Sequence, residues 1–593
     1  MNTNIYTKTI LLLLIFFSSC DFDLDIEPIN ILTSDQVLQN ASGVEAYMSS
    51  LYSAMPIEHF NFASGGMYLA NQTDEAISSY SGEQPNIPDG TWYSWWGYDA
   101  IRNANDLIAK LHEANLSPAD KDIFLGEVLF IRAFYYFGLA KRYGGVPIIE
   151  VVQNYTGDNL NELQVPRNKE QDVWDFIKTD LDQAISLLPE ENVAGRANKF
   201  VALALKSRAM LYAASIAEYG ESLRLNGIIG IPSSDAEKYW LSAFNTSRLI
   251  IDSEKYSLYD KNPDKRLNFE QLFIESDNPE DIFSIHYKYP YLGHGYDSQN
   301  LPFGIRGPGG AGSYIGPSLE LVEQFEYIDG TSGTLKINNP DGTPIYYEHP
   351  TDIFKNKDPR LMATVIVPFS QFRNKIIDVQ AGIYDGEEKI EAGDFSALYN
   401  PVTHQIDNAN GTIRVVGLSG FGGSEKTQSG FYVRKYLNYN MDNLDAIGSS
   451  SDQSFMVFRY AEILLNYAEA AIELNKVDEA KWAVNKIRER AGIKLLEDQD
   501  VNIENIRHER LVELAFENLR WWDYKRWRIA DKVLNNYRVT ALKPYFDIQQ
   551  NAYRFETAKT GRYPKIFLQT AYYDRIPLAE IDRNPNLIQN PGY

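Results

Sequence analysis

Apolar residues recur at helical spacing through much of this chain. Val44, Met48, Leu51 and Tyr52 share one face behind a capping box formed by Ser42 and Glu45. Tyr98, Ile101, Asn105 and Ile108 continue the pattern over 98–112. A second helix starts at Ser117 with Pro118 in its first position and Asp120 in its first turn, and stops at Gly144-Gly145. The short connection predicts a helical hairpin. A second pair is predicted at 168–188, on Val173, Ile177, Leu181, Ala184 and Leu188, and at the alanine-rich 198–217; a further helix covers 235–251. Residues 458–474 and 478–490 form a third pair, closed by Gly492. The last helical signal is 503–527, read as one helix with Leu511, Leu514, Ala515, Asn518 and Trp522 on a stripe surrounded by charge.

Between 262 and 454 the periodicity fails. Gly, Pro, Asn and Asp are frequent there, and short β-like runs such as 432–437 alternate with turns such as Asn339-Pro340-Asp341-Gly342. Within this region, 286–317 holds eight glycines and six tyrosines or phenylalanines. Loops this long without regular structure are usually functional or disordered, and the aromatic content favours function. In the helical part, Arg132-Ala133 through Tyr136 recurs as Arg208-Ala209 through Tyr212, a hint of helix-pair repeats of the tetratricopeptide type that lacks their fixed period.

The N-terminus has a different texture. Lys8 is the one charged residue before Cys20, and Ile10 to Phe17 is an apolar run followed by Ser18 and Ser19. This is the anatomy of an export signal, too short to stay as a membrane span, which needs roughly 20 apolar residues. Phe17-Ser18-Ser19-Cys20 resembles the lipobox at which bacterial lipoproteins are cleaved and acylated on cysteine, which makes Cys20 the expected lipid attachment site. Asp21, Asp23, Asp25 and Glu27 follow, without the Gly and distal Glu of an EF-hand, and read as a solvated tether. Such an acidic stretch resembles the surface-export signal of Bacteroidetes lipoproteins.

Composition narrows the chemistry. A single cysteine excludes disulfides within the chain and cysteine-ligated zinc sites. Acidic residues number 80 against 56 basic ones, a net charge of -24 that repels nucleic acid. No HExxH, GxSxG or P-loop occurs, and the GxGxxG at 307–312 is interrupted by Pro308 with no βαβ pattern around it, so neither metal nor cofactor is called for. The charged stretch Glu509 to Arg526 reads as structural ion pairing at helical spacing and not as acid/base machinery. What remains is aromatic: 39 tyrosines outnumber 29 phenylalanines and 9 tryptophans together. Flat rings beside planar polar groups suit the C–H faces and hydroxyls of sugars. Two clusters carry that chemistry, Trp92 and Trp95 near Asp74, and Tyr289, Tyr291 and Tyr296 with Arg306. Trp95, Trp96 and Tyr98 have the alternative of packing under the helix they begin, which leaves Trp92, farthest from the helical stripe, as the favoured ring.

Four separated stretches together resemble the SusD/RagB family of outer-membrane nutrient-binding lipoproteins: EVLFIRAFYYFGLAKRYGGVP within 124–147, RYAEILLNYAEA through VNKIRERAG within 459–492, ERLVELAFENLRWWDYKRW within 506–527, and Ile576-Pro577 with NPNLIQNPGY at the C-terminus. Asp358-Pro359-Arg360 also fits. The resemblance implies a mainly α scaffold of tetratricopeptide-like helical pairs with a long irregular, loop-rich insertion carrying short β elements. It divides the chain into a signal peptide (1–19), an acidic tether (20–33), an N-terminal helical region (34–261), a loop-rich ligand face (262–455) and a C-terminal helical region (456–593). It further implies a non-catalytic protein, lipid-anchored on the extracellular face of the outer membrane. Such a protein binds oligosaccharides, sometimes peptides, and sits on a SusC-like TonB-dependent transporter. The family fixes no ligand residues by motif. Two other readings stay open from residues alone, a surface glycan-degrading enzyme and a repeat scaffold for a protein partner.

Overall fold

The computed structural model describes residues 41–60, 68–79, 93–220, 226–276, 278–423, 425–561 and 563–593. The export run, Cys20, the acidic tether and Trp92 lie outside the described residues.

The longer helices form one stack. Helix α1 (Ala41–Ser53) buries Val44, Met48 and Leu51, and it contains Ser42 in place of starting from it. Helices α2 (Tyr98–Leu111) and α3 (Pro118–Tyr143) make the first hairpin. Ser117 Oγ accepts the N–H of Asp120 at 3.1 Å, and Gly144 leaves the helix at φ 77°, a conformation that suits glycine. Next come α4 (Glu170–Leu187), α5 (Lys199–Tyr219) and α6 (Ala236–Ile251), each packed on the helix before it. The chain then leaves the stack for some two hundred residues. It returns as α7 (Tyr460–Glu473), which lies on α6 and pairs with α8 (Val477–Ala491); α9 (Ile503–Leu514) closes the array. Phe244 of α6 and Tyr467 of α7 stack with centroids 4.5 Å apart. The excursion is thus an insertion between two neighbouring helices.

Helices α3 and α5 are long and apolar enough to cross a membrane, yet both are covered on nearly all sides by other helices. Apolar residues all round a helix are what such a position demands. The recurring Arg-Ala fragments do matching work. Arg132 of α3 makes a bidentate pair with Asp180 of α4 at 2.7 and 2.8 Å, and Arg208 of α5 pairs with Glu462 of α7.

The β elements are short and lie mostly on the insertion. Strand β1 (Ala76–Ile77) pairs antiparallel with β3 (Gly316–Pro317), and β2 (Asp281–Ile285) with β6 (Phe455–Arg459), which leads directly into α7. A four-stranded sheet runs in the order β8 (Ala552–Lys559), β7 (Thr540–Asp547), β4 (Gly382–Asp385), β5 (Glu388–Ile390). The hairpin β7–β8 follows the last helical signal and was not expected from periodicity. Its parallel contact with β4 ties the C-terminal region to the insertion.

The stretch 503–527 is two helices, α9 and the short Arg520–Arg526, separated by a kinked link in which Phe516 and Asn518 have φ of 63° and 62°. The link turns Glu517 inward, and the Phe516 N–H donates to Glu75 Oε1 at 3.1 Å. Charge in this stretch is structural, but its partners come from elsewhere in the chain. Glu513 accepts from Arg459 at 2.7 Å, from Arg360 at 2.8 Å and from Arg490. Arg360 also reaches Asp358 and Glu509, and Arg459 reaches Glu280 and Glu517. All these side chains are buried. Helical spacing accounts for the pair Arg526–Asp523 at 2.8 Å. Burial alone raises a carboxyl's pKa, but the guanidinium of Arg526 outweighs it at Glu469 and holds that group down at about 2.

Candidate functional site

The segment Met55–Phe60 and the strand region 68–79 connect the helical stack to the insertion. Pro56 lies on α3 at Gly138, where a Cβ would come within 2.5 Å of its ring, so that glycine permits the close approach. Glu58 pairs with Lys141 and Arg142 of α3, each at 2.7 Å. Beyond it, His59 Nδ1 and the Tyr287 hydroxyl are 2.6 Å apart, and Phe60 packs against His294 and Tyr296 with centroids at 4.3 and 4.7 Å. The β1–β3 pairing, with Ser79 Oγ donating to Gly312 O at 2.7 Å and Asn71 Nδ2 to Tyr314 O at 2.8 Å, fastens the other end of the 286–317 loop. Two stretches over 200 residues apart in sequence therefore form one surface.

Inside the loop a single carboxylate organises the turn. Asp297, fully buried, accepts from Arg373 at 2.6 Å, the Asn438 N–H at 3.0 Å, Ser451 Oγ at 2.9 Å and Gln453 Nε2 at 2.7 Å. Burial nevertheless outweighs these partners, and its pKa is raised. His294 is also buried, its Nε2 3.0 Å from Gln453 O, and desolvation lowers its pKa to about 4. It is a neutral packing residue near pH 7. On the flank, a cavity of about 290 Å³ is lined by His286, Tyr287, Asn278, Asp281, Asp452 and Ser454 among others.

The rings and charges singled out from sequence separate sharply by exposure. Tyr289 and Tyr291 are 55% and 86% exposed, whereas Tyr296 is 2% exposed, among Phe60, Tyr68 and Tyr436. Tyr296, expected with them at the ligand, packs beneath the loop instead of at its surface. Trp95 is half-buried: its ring folds over Gly97, where a Cβ would come within 2.0 Å of it, and lies 5.6 Å from Tyr135. Trp96 turns to Tyr98 and Tyr143, each at 5.1 Å, and helps line a cavity of about 280 Å³ closed by the C-terminal tail. Asp74 is committed to Arg520 at 3.1 Å and to the Tyr524 hydroxyl at 2.6 Å; against the upward push of burial, Arg520 keeps its carboxyl below the usual range. Arg306 lies 4.3 Å over Phe303, donates to Gly310 O at 2.8 Å and pairs with Glu425. Both charges, expected at the ligand, are held by an opposite charge within the fold.

A family model described as the SusD family matches residues 279–593, more than half of the chain. The chain belongs to the SusD family. A second model, described as starch-binding and associating with the outer membrane, matches residues 24–211. Among SusD-family relatives, SusD-like protein P2 of Formosa agariphila is 23% identical over 99% of both chains. The starch-binding protein SusD of Bacteroides thetaiotaomicron is 23% identical over 97% of this chain and 96% of its own. A crystal structure of a SusD-like protein from Bacteroides fragilis superposes with a TM-score of 0.67 at 25% identity, covering 94% of this chain and 98% of that one. The mainly α architecture with its inserted loop region is thus that of SusD-like proteins. Residues that sequence reasoning missed, His59, Phe60 and Asp297, are the ones that assemble the face; they sit in stretches without periodicity, and only their long-range partners reveal the role.

Proposed function

We propose that this SusD-family protein is a cell-surface lipoprotein, held in the outer membrane by acyl chains on Cys20, that captures an oligosaccharide and delivers it to a SusC-like TonB-dependent transporter. The observation that carries the reading is the exposed pair Tyr289 and Tyr291 on a loop pinned from below by Asp297 and Tyr296, in a chain of this family. Ring faces presented to solvent on a held backbone favour sugar stacking, since little ordering is left for binding to impose. Trp95, half-buried at the start of α2, is a further ring for the ligand. Trp92 joins it on the sequence argument. At Glu513 burial is outweighed by the guanidiniums of Arg490, Arg459 and Arg360, which hold its carboxyl well below the ordinary range and mark it as a structural charge. Cys20 supplies the anchor, each buried CH₂ contributing about 0.8 kcal/mol.

Isothermal titration of the full chain against a glycan panel, with co-purification from outer membranes, tests the reading. Saturable binding of at least one glycan together with a co-purifying TonB-dependent transporter is expected. Binding of peptides only, release of cleaved sugar on prolonged incubation, or no ligand and no transporter would each reject it.

A further inference from the structure

A cavity of about 420 Å³ opens beside the short helix Lys265–Gln271, and its charge runs against that of the chain. Arg266, Arg373 and Arg434 line it, with Glu270 as the one acidic residue, in a protein of net charge -24. Glu270 is buried and holds two of the arginines, accepting from Arg266 at 2.8 Å and from Arg434 at 2.7 and 3.1 Å. Arg373 occupies a left-handed turn position, φ 45°, between the paired strands Gln371–Phe372 and Lys375–Ile376, and is neutralised by Asp297. One carboxylate cannot balance both Arg266 and Arg434, so a positive charge is left over in the cavity. The Arg266 side chain is 34% exposed and is engaged through Nη1, which leaves Nε and Nη2 to donate. Phe372, with the guanidiniums of Arg434 and Arg373 5.1 and 5.5 Å from its ring centre, and the half-buried Tyr439 supply aromatic wall.

We propose that this cavity binds an oxyanion carried on a sugar, a carboxylate or a sulfate, with Arg266 as the donor and Arg434, held by Glu270 and the Gln371 carbonyl, as a fixed positive wall. The inference deepens the oligosaccharide reading and rests on it: Asp297, which organises the Tyr291 loop, also holds Arg373, so the cavity and the aromatic face share a support. Guanidinium groups fit planar or tetrahedral oxyanions through paired N–H donors, and a net positive cavity in an acidic protein discriminates against neutral ligands. Glu270 sets the direction of both guanidiniums and balances one of them, leaving one positive charge over.

The test is isothermal titration of the full chain at low salt with oligogalacturonate, oligomannuronate and sulfated carrageenan oligosaccharides, each beside a neutral oligosaccharide of equal length, and with sodium sulfate alone. At least one acidic oligosaccharide is expected to bind more tightly than its neutral counterpart, and to lose roughly tenfold or more in Arg266→Gln, as the loss of a charge-assisted hydrogen bond implies. Asn374→Asp, on the exposed turn beside Arg373, places a negative charge near the cavity and is expected to act in the same direction without lowering the melting temperature. Neutral probes should be indifferent to both variants. Equal binding of acidic and neutral probes, or acidic binding that falls in Tyr291→Ala but in neither cavity variant, overturns the cavity proposal and leaves the oligosaccharide reading standing. Sulfate alone binding as tightly as the acidic oligosaccharides overturns the sugar assignment, and no binding by any probe overturns both.

Discussion

Around Glu513 three guanidiniums converge on one carboxylate with no access to water, while in the 286–317 loop Tyr291 stands almost wholly in solvent on a backbone held by Asp297. Both regions are dense in residues with functional chemistry. In the first, each charge is paired inside the fold: Arg360, Arg459 and Arg490 are matched by Asp358, Glu280, Glu509, Glu513 and Glu517. In the second, the buried Asp297 carboxylate is held by four donors below the surface while Tyr289 and Tyr291 stand exposed above it. Dense buried charge marks where distant segments are joined, whereas a held carboxylate beneath exposed aromatic area is the arrangement we propose meets a ligand.

The largest effect expected on breaking this contrast is at the charged cluster. Glu513→Ala leaves three buried arginines short of a partner, and removing one member of a buried pair costs roughly 3–5 kcal/mol. Chemical denaturation should show that loss or an insoluble protein; a near-unchanged midpoint would mean the cluster is not structural. Acid should act on a second buried ion pair, Glu469 with Arg526. The depressed carboxyl of Glu469 contributes stability that is fully present above the unfolded value of about 4.3 and is lost as pH falls toward its folded value of about 2. A melting temperature that falls progressively from pH 5 to pH 3 is expected, and a flat profile over that window would contradict it. Next in size, Asp297→Ala frees Arg373, Ser451 and Gln453 and should cost about 1–3 kcal/mol while also weakening glycan binding, since the loop loses its internal tie. Glycan binding retained at full strength would separate the loop from the site. The smallest effect on stability is at Tyr291→Ala, where no change in melting temperature beyond about 1 °C is expected for an exposed side chain.

Much of the architecture was legible in the sequence because helices declare themselves by periodicity. Ser117, Pro118 and Gly144 bounded α3, and the alanine-rich α5 was clear. The break between Leu514 and Arg520 was not, since the partners that hold the link at positive φ, Glu75, Arg459 and Glu58, lie far away in sequence. Ionic pairing was inferred for the charged stretch, but from helical spacing that accounts for few of its bonds. The hairpin β7–β8 escaped because β7 buries adjacent pairs, Ala541 with Leu542 and Pro544 with Tyr545, in place of alternating, and its partner β4 lies far upstream. At the site, the sequence located the loop but not the sorting of its residues. In a glycine-rich segment no period tells an inward Tyr296 from an outward Tyr291, and Asp74 and Arg306 gave no sign that Arg520 and Glu425 would claim them.

Whether the exposed rings of the loop meet a sugar decides the proposed function. The direct measurement is titration of wild-type protein and Tyr291→Ala with a glycan that the wild type binds. Losing one stacked ring should forfeit about 0.5–1.5 kcal/mol, a roughly two- to twelvefold weakening, with the melting temperature unchanged. Unaltered affinity in Tyr291→Ala and in the double variant with Tyr289→Ala would place the ligand elsewhere and contradict the account.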